Sequence, residues 1–312
     1  MVGMVKKSHC PANTNQAVGI IRVEKGFVDS KFIEFLLRNP ITVEYVNSQS
    51  GQSAQPNINL TEIGNLTFKF PPLQEQKAIA SILSALDDKI ENNLAMNKTL
   101  EDMAMALYKH WFVDFGPFLD GEFVDSELGE IPQGWEVKRL DHFLEIKYGK
   151  EHKKLEKGNI PVYGTGGIMR YVNEYLYNQE SILIPRKGSL NNLFYLTKPF
   201  WTVDTLFYSK IKQVNSGKYV YHFLKTLDLA SMDVGSAIPS LTTQLLNRID
   251  IVSPNEELIM KFDVIATKYF NSIESNIQEN QTLTTLRDTL LPKLISGEVR
   301  IKEVEQQLEN IL

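Results

Sequence analysis

The sequence predicts an α+β protein in which two mixed globular segments are joined by two long helices, with the halves related by a pseudo-twofold repeat. Three observations predict it. The stretch Pro71 to Trp111 opens with Pro-Pro, tolerated at a helix start, and then holds no Pro or Gly. Along it apolar residues recur in steps of four and three: Ile79, Leu83, Leu86 and Ile90, then Leu100, Ala104, Leu107 and Trp111. A heptad stripe of this kind marks one long helix that needs a partner, and about forty residues rising ~1.5 Å each make a rod of roughly 60 Å. The second observation supplies that partner in the same chain, as a repeat. The third is a run of short β-type segments between the two copies.

Adding 183 to a residue number finds the repeat. Ala54 and Pro56 become Ala237 and Pro239; Pro71 becomes Pro254; Ile90, Glu91 and Asn93 become Ile273, Glu274 and Asn276. Asn97, Thr99 and Leu100 become Asn280, Thr282 and Leu283, and Leu107 becomes Leu290. The second helix, Asn255 to Leu291, carries Phe262, Ala266, Tyr269, Ile273, Leu283 and Leu290 on the matching stripe, with Leu294 beyond it. Both seams are broken by Asn: Asn93 and Asn97 in one, Asn276 and Asn280 in the other. A buried polar residue on such a seam costs stability and fixes register. If the helices lie antiparallel about a pseudo-twofold axis, their middles meet, and the expectation is Asn93 and Asn97 near Asn276 and Asn280. The plain alternative puts these Asn on the solvated edge of the stripe.

Composition narrows the class. At 312 residues the chain has room for two domains. No apolar run approaches 18 residues. The first residues carry no signal-peptide pattern, so a cytoplasmic protein is the expectation. A single cysteine, Cys10, excludes an internal disulfide framework and a Cys-based zinc cluster, and the five His are scattered. The net charge of −5 is unevenly spread: residues 141–253 sum to +4 and 1–71 to +2, whereas 72–115, 116–140 and 254–312 sum to −3, −4 and −4. Basic globular parts and acidic rods suit a protein whose globular parts touch phosphate.

In chain order, residues 1–70 form a small first segment. Ala17 to Val23 reads as a strand, Asp29 or Ser30 caps a short helix from Lys31 to Arg38, Asn47 to Pro56 is a polar loop, and Asn65 to Phe70 is strand-like. The first long helix spans 71–115 and an acidic linker 116–130. Residues 131–254 form the larger segment, opened by Ile131-Pro-Gln-Gly-Trp135. Its strand signals are Ile160–Tyr163, Ser181–Ile184, Leu193–Leu196 and Thr205–Tyr208, and Lys218 to Leu227 matches the Lys31 helix at a slightly different offset. Gly235 to Pro239 matches the polar loop before Pro56. The second long helix spans 255–297 and a tail 298–312. The larger segment has about 75 residues, from Ile131 to roughly Thr205, with no counterpart in the first.

Phe70-Pro-Pro-Leu-Gln-Glu-Gln-Lys77, the long helix after it, Ile131-Pro-Gln-Gly-Trp-Glu-Val137 and Leu291-Pro-Lys-Leu-Ile-Ser-Gly-Glu298, in this order and with the repeat, resemble the DNA specificity (S) subunit of type I restriction-modification systems. The resemblance implies two target-recognition domains, each reading half of a bipartite DNA site, held apart by two antiparallel helices acting as a ruler. It makes 1–70 a partial first domain and 131–254 a complete second one, and it implies a chain truncated at its N-terminus relative to the family. It also implies no catalysis in this chain. The partners it implies are double-stranded DNA, methyltransferase (M) subunits, two of them, and through the complex restriction (R) subunits. It adds self-association should the first domain be incomplete, and no membrane. No cofactor is expected in this chain; S-adenosylmethionine, ATP and Mg belong to the partner subunits.

A half-site reader needs Lys or Arg for phosphates and Asn, Gln, Arg or Lys for base edges. The candidates lie in expected loops: Lys147, Lys150, Lys153 and Lys154; Tyr163 and Arg170, flanking a Gly-rich stretch; Arg186, Lys187, Asn191 and Asn192. Lys6, Lys7 and Gln52 are weaker candidates in the first segment, and for each position a solvated surface loop is the plain alternative. Tyr163-Gly-Thr-Gly-Gly167 lacks the spacing of a nucleotide-binding turn, and no phosphate-loop or aminomethyltransferase tetrapeptide occurs. The off-seam helix face with Glu75, Asp87, Asp88 and Glu91 is the expected docking surface for M subunits. Two rival classes are a stand-alone DNA-modifying enzyme, which the missing cofactor motifs disfavour, and a structural coiled-coil adaptor, which predicts no DNA binding at any salt.

Overall fold

The heptad stripe forms a helix of 40 residues and its repeat one of 41. The computed structural model of the chain describes residues 2–15, 18–24, 26–49, 58–232 and 240–301. The helices are α1 (Ser30–Arg38), α2 (Pro40–Gln49), α3 (Leu60–Gly64), α4 (Leu73–Phe112), α5 (Leu140–Phe143), α6 (Gly217–Thr226), α7 (Thr243–Asn247) and α8 (Glu256–Ser296). The strands are β1 (Phe123–Ser126), β2 (Gly129–Pro132), β3 (Glu136–Arg139), β4 (Leu144–Tyr148), β5 (Lys157–Gly164), β6 (Gly167–Val172), β7 (Ser181–Pro185), β8 (Phe194–Leu196), β9 (Trp201–Thr202), β10 (Leu206–Ile211) and β11 (Asp250–Ser253). The chain packs as two units, Met1–Lys98 with Ile273–Leu312 and Thr99–Ser272, so α4 and α8 each contribute to both.

In the first unit, α1 begins where the Asp29 carboxylate accepts the Phe32 N–H at 3.0 Å, an N-cap worth about 1 kcal/mol. The Asp29 N–H donates to Oε1 of buried Gln76 at 3.0 Å, and Gln76 Nε2 donates to the Pro71 carbonyl at 2.8 Å. One glutamine of the Pro-Pro-Leu-Gln-Glu-Gln stretch thus ties the start of α1 to the start of α4. Phe32, Phe35 and Leu36 of α1 pack on Ile79, Leu83 and Leu86 of α4 and on Leu283, Leu290 and Leu294 of α8. A half-buried charge cluster sits beside this core. Asp87 accepts from Arg38 at 2.8 Å and from Arg287 at 2.7 Å, joining α1, α4 and α8. Asp87 is therefore engaged inside the unit rather than offered for docking. Glu75 and Asp88 are exposed, and Glu91 is exposed but paired with Lys6 at 3.1 Å.

The seam between α4 and α8 is antiparallel where this unit holds it. Asn93 Nδ2 donates to Asn280 Oδ1 at 2.9 Å and to Glu279 Oε2 at 2.7 Å, and Asn276 Nδ2 donates to Asn97 Oδ1 at 2.8 Å. The 183 offset exchanges the two amide pairs, and Asn93 and Asn97 are buried rather than on a solvated edge.

The second unit carries the sheets. β4, β10, β7 and β8 form one antiparallel sheet in that order; β6, β5 and β9 form another, with β5 and β9 parallel. β7 is buried at all five positions, as a central strand covered on both faces reads. α6 is nearly enclosed. Its Lys218 ammonium bonds Asp263 of α8 at 2.8 Å, and its His222 lies among Tyr108, Phe262 and Phe270 at ring distances of 5.5 to 5.9 Å.

Three expectations are corrected. The acidic stretch 116–130 is not a bare linker. It forms a 3₁₀ turn and the β1–β2 hairpin, because Phe115 and Phe118 pack on Trp135 and Phe115 on Phe123. The strand-like runs Ala17–Val23 and Asn65–Phe70 form no strand among the described residues. At an offset of 187, residues 19–24 match β10, which β4 and β7 flank; at 183, residues 67–70 match β11, which β3 flanks. The first unit has no such neighbours among its described residues, and a β-run without ladder partners leaves its backbone groups to water. α8 runs through Pro292 to Ser296, within the expected span 255–297, because burial of Leu291 and Leu294 offsets the one hydrogen bond that Pro292 cannot donate. The polar loop after Asn47 begins later than expected, since α2 extends to Gln49. Gln52, Ala54, Pro56 and the matching Gly235–Pro239 lie outside the described residues, as do Ala17 and 302–312.

Two outcomes follow for stability. Asn280→Leu removes one of the two acceptors of buried Asn93, leaving only Glu279, and lowers stability by about 1–3 kcal/mol, whereas Asn93→Leu with Asn280→Leu restores most of it; urea unfolding of the two variants measures the difference. Burial pushes the His222 imidazole down to about 4 from an ordinary value of 6.5, against a raising hydrogen bond to the Lys218 carbonyl. The unfolded chain takes up this proton first, so the contribution is full above about pH 6.5 and falls as pH drops toward 4. The slope is ~1.4 kcal/mol per pH unit, and His222→Phe removes that share from a thermal-stability profile.

Candidate nucleic-acid interface

The antiparallel order of the large sheet decides which loops meet. β4 ends, β7 ends, β8 begins and β10 begins at one end of it. The segments 149–156, 186–193 and 203–205 therefore emerge together. The β5–β6 hairpin joins them through Asn192, whose Nδ2 donates to the Thr165 carbonyl at 2.6 Å. Further bonds lock the cluster: Trp201 Nε1 to the Lys150 carbonyl at 3.0 Å, Lys150 N to Thr202 O at 2.8 Å, and Arg186 N to Thr205 O at 2.8 Å. Gly149 is where β4 leaves the sheet, and a Cβ there would lie 2.0 Å from the Val203 carbonyl oxygen, so only glycine passes. Gly188 turns the β7–β8 loop with φ at +86°.

The loops enclose an open cleft of about 580 Å³, lined among others by Glu151, Lys153, Thr165, Asp204 and Thr205. Glu151 accepts the N–H groups of His152 and Lys153 at 2.9 Å each; these bonds, that of Lys153 foremost, hold its carboxyl below the ordinary carboxylate value. Lys150, Lys153, Lys154 and Lys187 are exposed around this end. Arg186 is half-buried. Its guanidinium lies 5.3 Å over the Tyr148 ring and donates from Nη1 to the Asp204 carbonyl at 3.2 Å.

Not every sequence candidate joins this group. Lys147 lies one residue before Tyr148 in β4, hence on the opposite sheet face, and bonds Glu145 at 2.6 Å. That bond lowers the Glu145 carboxyl and raises the Lys147 ammonium. Tyr163 is half-buried against Phe194, with ring centroids 5.5 Å apart. Arg170 is half-buried and donates to the Leu155 carbonyl at 2.8 Å. The Asn191 amide holds the loop after α6, donating to Asp228 at 3.3 Å and accepting from Ala230 N at 3.2 Å. In the first unit Lys6 pairs with Glu91 and Lys7 is exposed in a 3₁₀ turn. Sequence reading missed Tyr148 and Asp204. The first stood inside the basic run Lys147–Lys154, and its ring before a glycine was the available signal; Asp204 gave none.

Among the described residues, no group of His, Cys, Asp and Glu is placed to hold a metal ion, and no helix is long and apolar enough to cross a membrane.

A family model described as the type I restriction modification DNA specificity domain matches residues 1–102 and 132–285, one span in each copy of the repeat. The type I restriction enzyme MjaIX specificity subunit of Methanocaldococcus jannaschii is similar at 31% identity, over 97% of this chain and 76% of that protein. The HindI specificity subunit of Haemophilus influenzae is similar at 26% identity, over 90% of this chain and 80% of that one. Among solved structures, the S subunit of a type I restriction-modification system from M. genitalium shares the fold, with a TM-score of 0.57 at 21% identity over 86% of this chain and 72% of that one.

Proposed function

The chain belongs to the type I restriction modification DNA specificity family, and from that premise we propose that it reads DNA for a type I complex without catalysing a reaction itself. It directs adenine methylation and restriction to a bipartite duplex site. Methyltransferase subunits, two of them, dock on it, and restriction subunits join through them. Those partners carry S-adenosylmethionine, ATP and Mg.

The observation that carries this reading is the loop cluster of the second unit. Three loops and a hairpin converge at one sheet end with Arg186 and Lys187 beside Lys150 and Lys153. Exposed lysines on flexible stems suit phosphates, whereas amide and guanidinium groups on fixed loops suit base edges. Residues 131–254 act as a recognition domain, 1–70 as part of the other half, and the long helices as the spacer between them.

Methylation mapping tests the function. Co-expressed with its methyltransferase subunit, the chain is expected to place methyl groups on adenines of one bipartite motif, and the absence of any motif defeats the reading. Replacing Lys150, Lys153 and Lys187 with Ala is expected to weaken duplex binding on all sequences alike. It should reduce the slope of log affinity against log salt by ~0.9 for each phosphate that is no longer neutralised; an unchanged slope removes these lysines from the interface.

Charge reversal of the exposed pair Glu75 and Asp88 is expected to reduce capture of the methyltransferase subunit while leaving the melting temperature unchanged. Full capture rules out this acidic face as the docking surface. Asp87→Lys is expected instead to lower stability, because it repels Arg38 and Arg287.

A further inference from the structure

The loop cluster does not use its cations alike, and the difference assigns a base. The lysines around it are exposed, and the Arg170 guanidinium is bonded to the Leu155 carbonyl at 2.8 Å. Arg186 alone among the predicted DNA-contacting cations is seated on an aromatic column. Buried Phe207 supports the Tyr148 ring edge-on at 5.1 Å, and Tyr148 supports the guanidinium at 5.3 Å. Its backbone is fixed on both sides, with Arg186 N on Thr205 O at 2.8 Å and Leu241 N on Arg186 O at 2.9 Å. Nη1 makes the 3.2 Å bond to Asp204 O, and the Nε and Nη2 donors make no hydrogen bond among the described residues.

A guanidinium held this way has already lost much of the rotamer freedom that binding costs a free side chain. What it presents is a planar fork. Guanine offers a matching pair of acceptors, O6 and N7, on its major-groove edge, whereas adenine and cytosine present an amino donor there that repels the fork. A phosphate also accepts such a fork, but the exposed Lys150, Lys153, Lys154 and Lys187 already serve phosphates at this end of the sheet.

Resting on the DNA-reading function above, we propose that Arg186 reads a guanine in the half-site recognised by the second unit and that Tyr148 is its positioning residue. The column is the device: it carries rigidity from the sheet core to the fork.

The test uses the full chain co-purified with its methyltransferase subunit and selects bound duplexes from a randomised DNA pool. The wild type is expected to enrich a motif containing one invariant guanine that Arg186→Gln loses, by roughly 5- to 150-fold in preference, with the other positions kept. Arg186→Lys, which keeps the charge and removes the fork, is expected to relax the same position. Tyr148→Leu is expected to lower the guanine preference and Tyr148→Phe to restore it, since the ring face is what supports the cation. Two results overturn the assignment alone: a motif unchanged in both Arg186 variants, or an equal loss at every position, which is a phosphate contact. A wild type that enriches no motif defeats the DNA-reading function and this inference with it.

Discussion

Two carboxamide pairs on one helical seam constrain the first unit more than any other contact. Asn93 with Asn280 and Asn97 with Asn276 are the polar interruptions in stripes that are otherwise apolar. In the observed register each donor meets an acceptor. A slip of one heptad would set Asn93 against Ile273 or Arg287 and Asn97 against Leu283 or Tyr269. Most of those pairings leave an amide without a partner, which costs about 1–3 kcal/mol for each buried polar group. Apolar contacts alone would tolerate such a slip, since one heptad brings leucine or isoleucine back to the seam. The Asp87 cluster depends on the same register, because Arg287 reaches Asp87 only when Asn280 stands beside Asn93.

The parts of the fold legible in sequence are those whose cause is local or periodic. Heptad spacing marked both long helices, and the fixed offset between copies, taken with an antiparallel pseudo-twofold arrangement, brought the four Asn together. The four strand runs marked in the second unit form β5, β7, β8 and β10 because each has a ladder partner within reach, whereas the other strands there are too short or too polar to carry a signal of their own. The same kind of run at 17–23 and 65–70 was misleading, since propensity describes how a residue fits a sheet and not whether a sheet is present. The stretch 116–130 misled in the other direction. Its acidic neighbours hid Phe118 and Phe123, and a hairpin folded where net charge suggested a tether.

The interface was legible in composition but not in arrangement. Most of the candidate basic and amide residues stand in the converging loops, while Lys147, Tyr163 and Arg170 lie in β4, β5 and β6, and which of them share a surface depends on strand order. Strand alternation sends Lys147 to one face and Tyr148 to the other, so Lys147 is separated from the rest of the densest basic run, which lies in the loop after β4. The two asparagines proposed as base readers hold loops together, Asn192 with Thr165 and Asn191 with Asp228. This is an expected division of labour. Loops that must present one side chain at a fixed place need others to keep them still.

The repeat also shows one backbone plan stabilised by two chemistries. At an offset of 183, Asp87 corresponds to Phe270, and Arg287 to Ala104. The second unit fills these positions with Phe270, packed against a core rich in Tyr, Phe and Trp, and with the fully buried methyl of Ala104. The first unit fills them with an ion pair extended by Arg38. A half-buried ion cluster adds less net stability than apolar packing of the same volume, but it is strict about partners. Among its described residues the first unit has a small core of a dozen buried apolar residues, and so small a core would accept more than one arrangement of α1 on the long helices. Two guanidinium groups sharing one carboxylate accept only the arrangement in which all three elements meet. In the smaller unit, then, specificity of packing rests on charge geometry where the larger unit obtains it from aromatic shape.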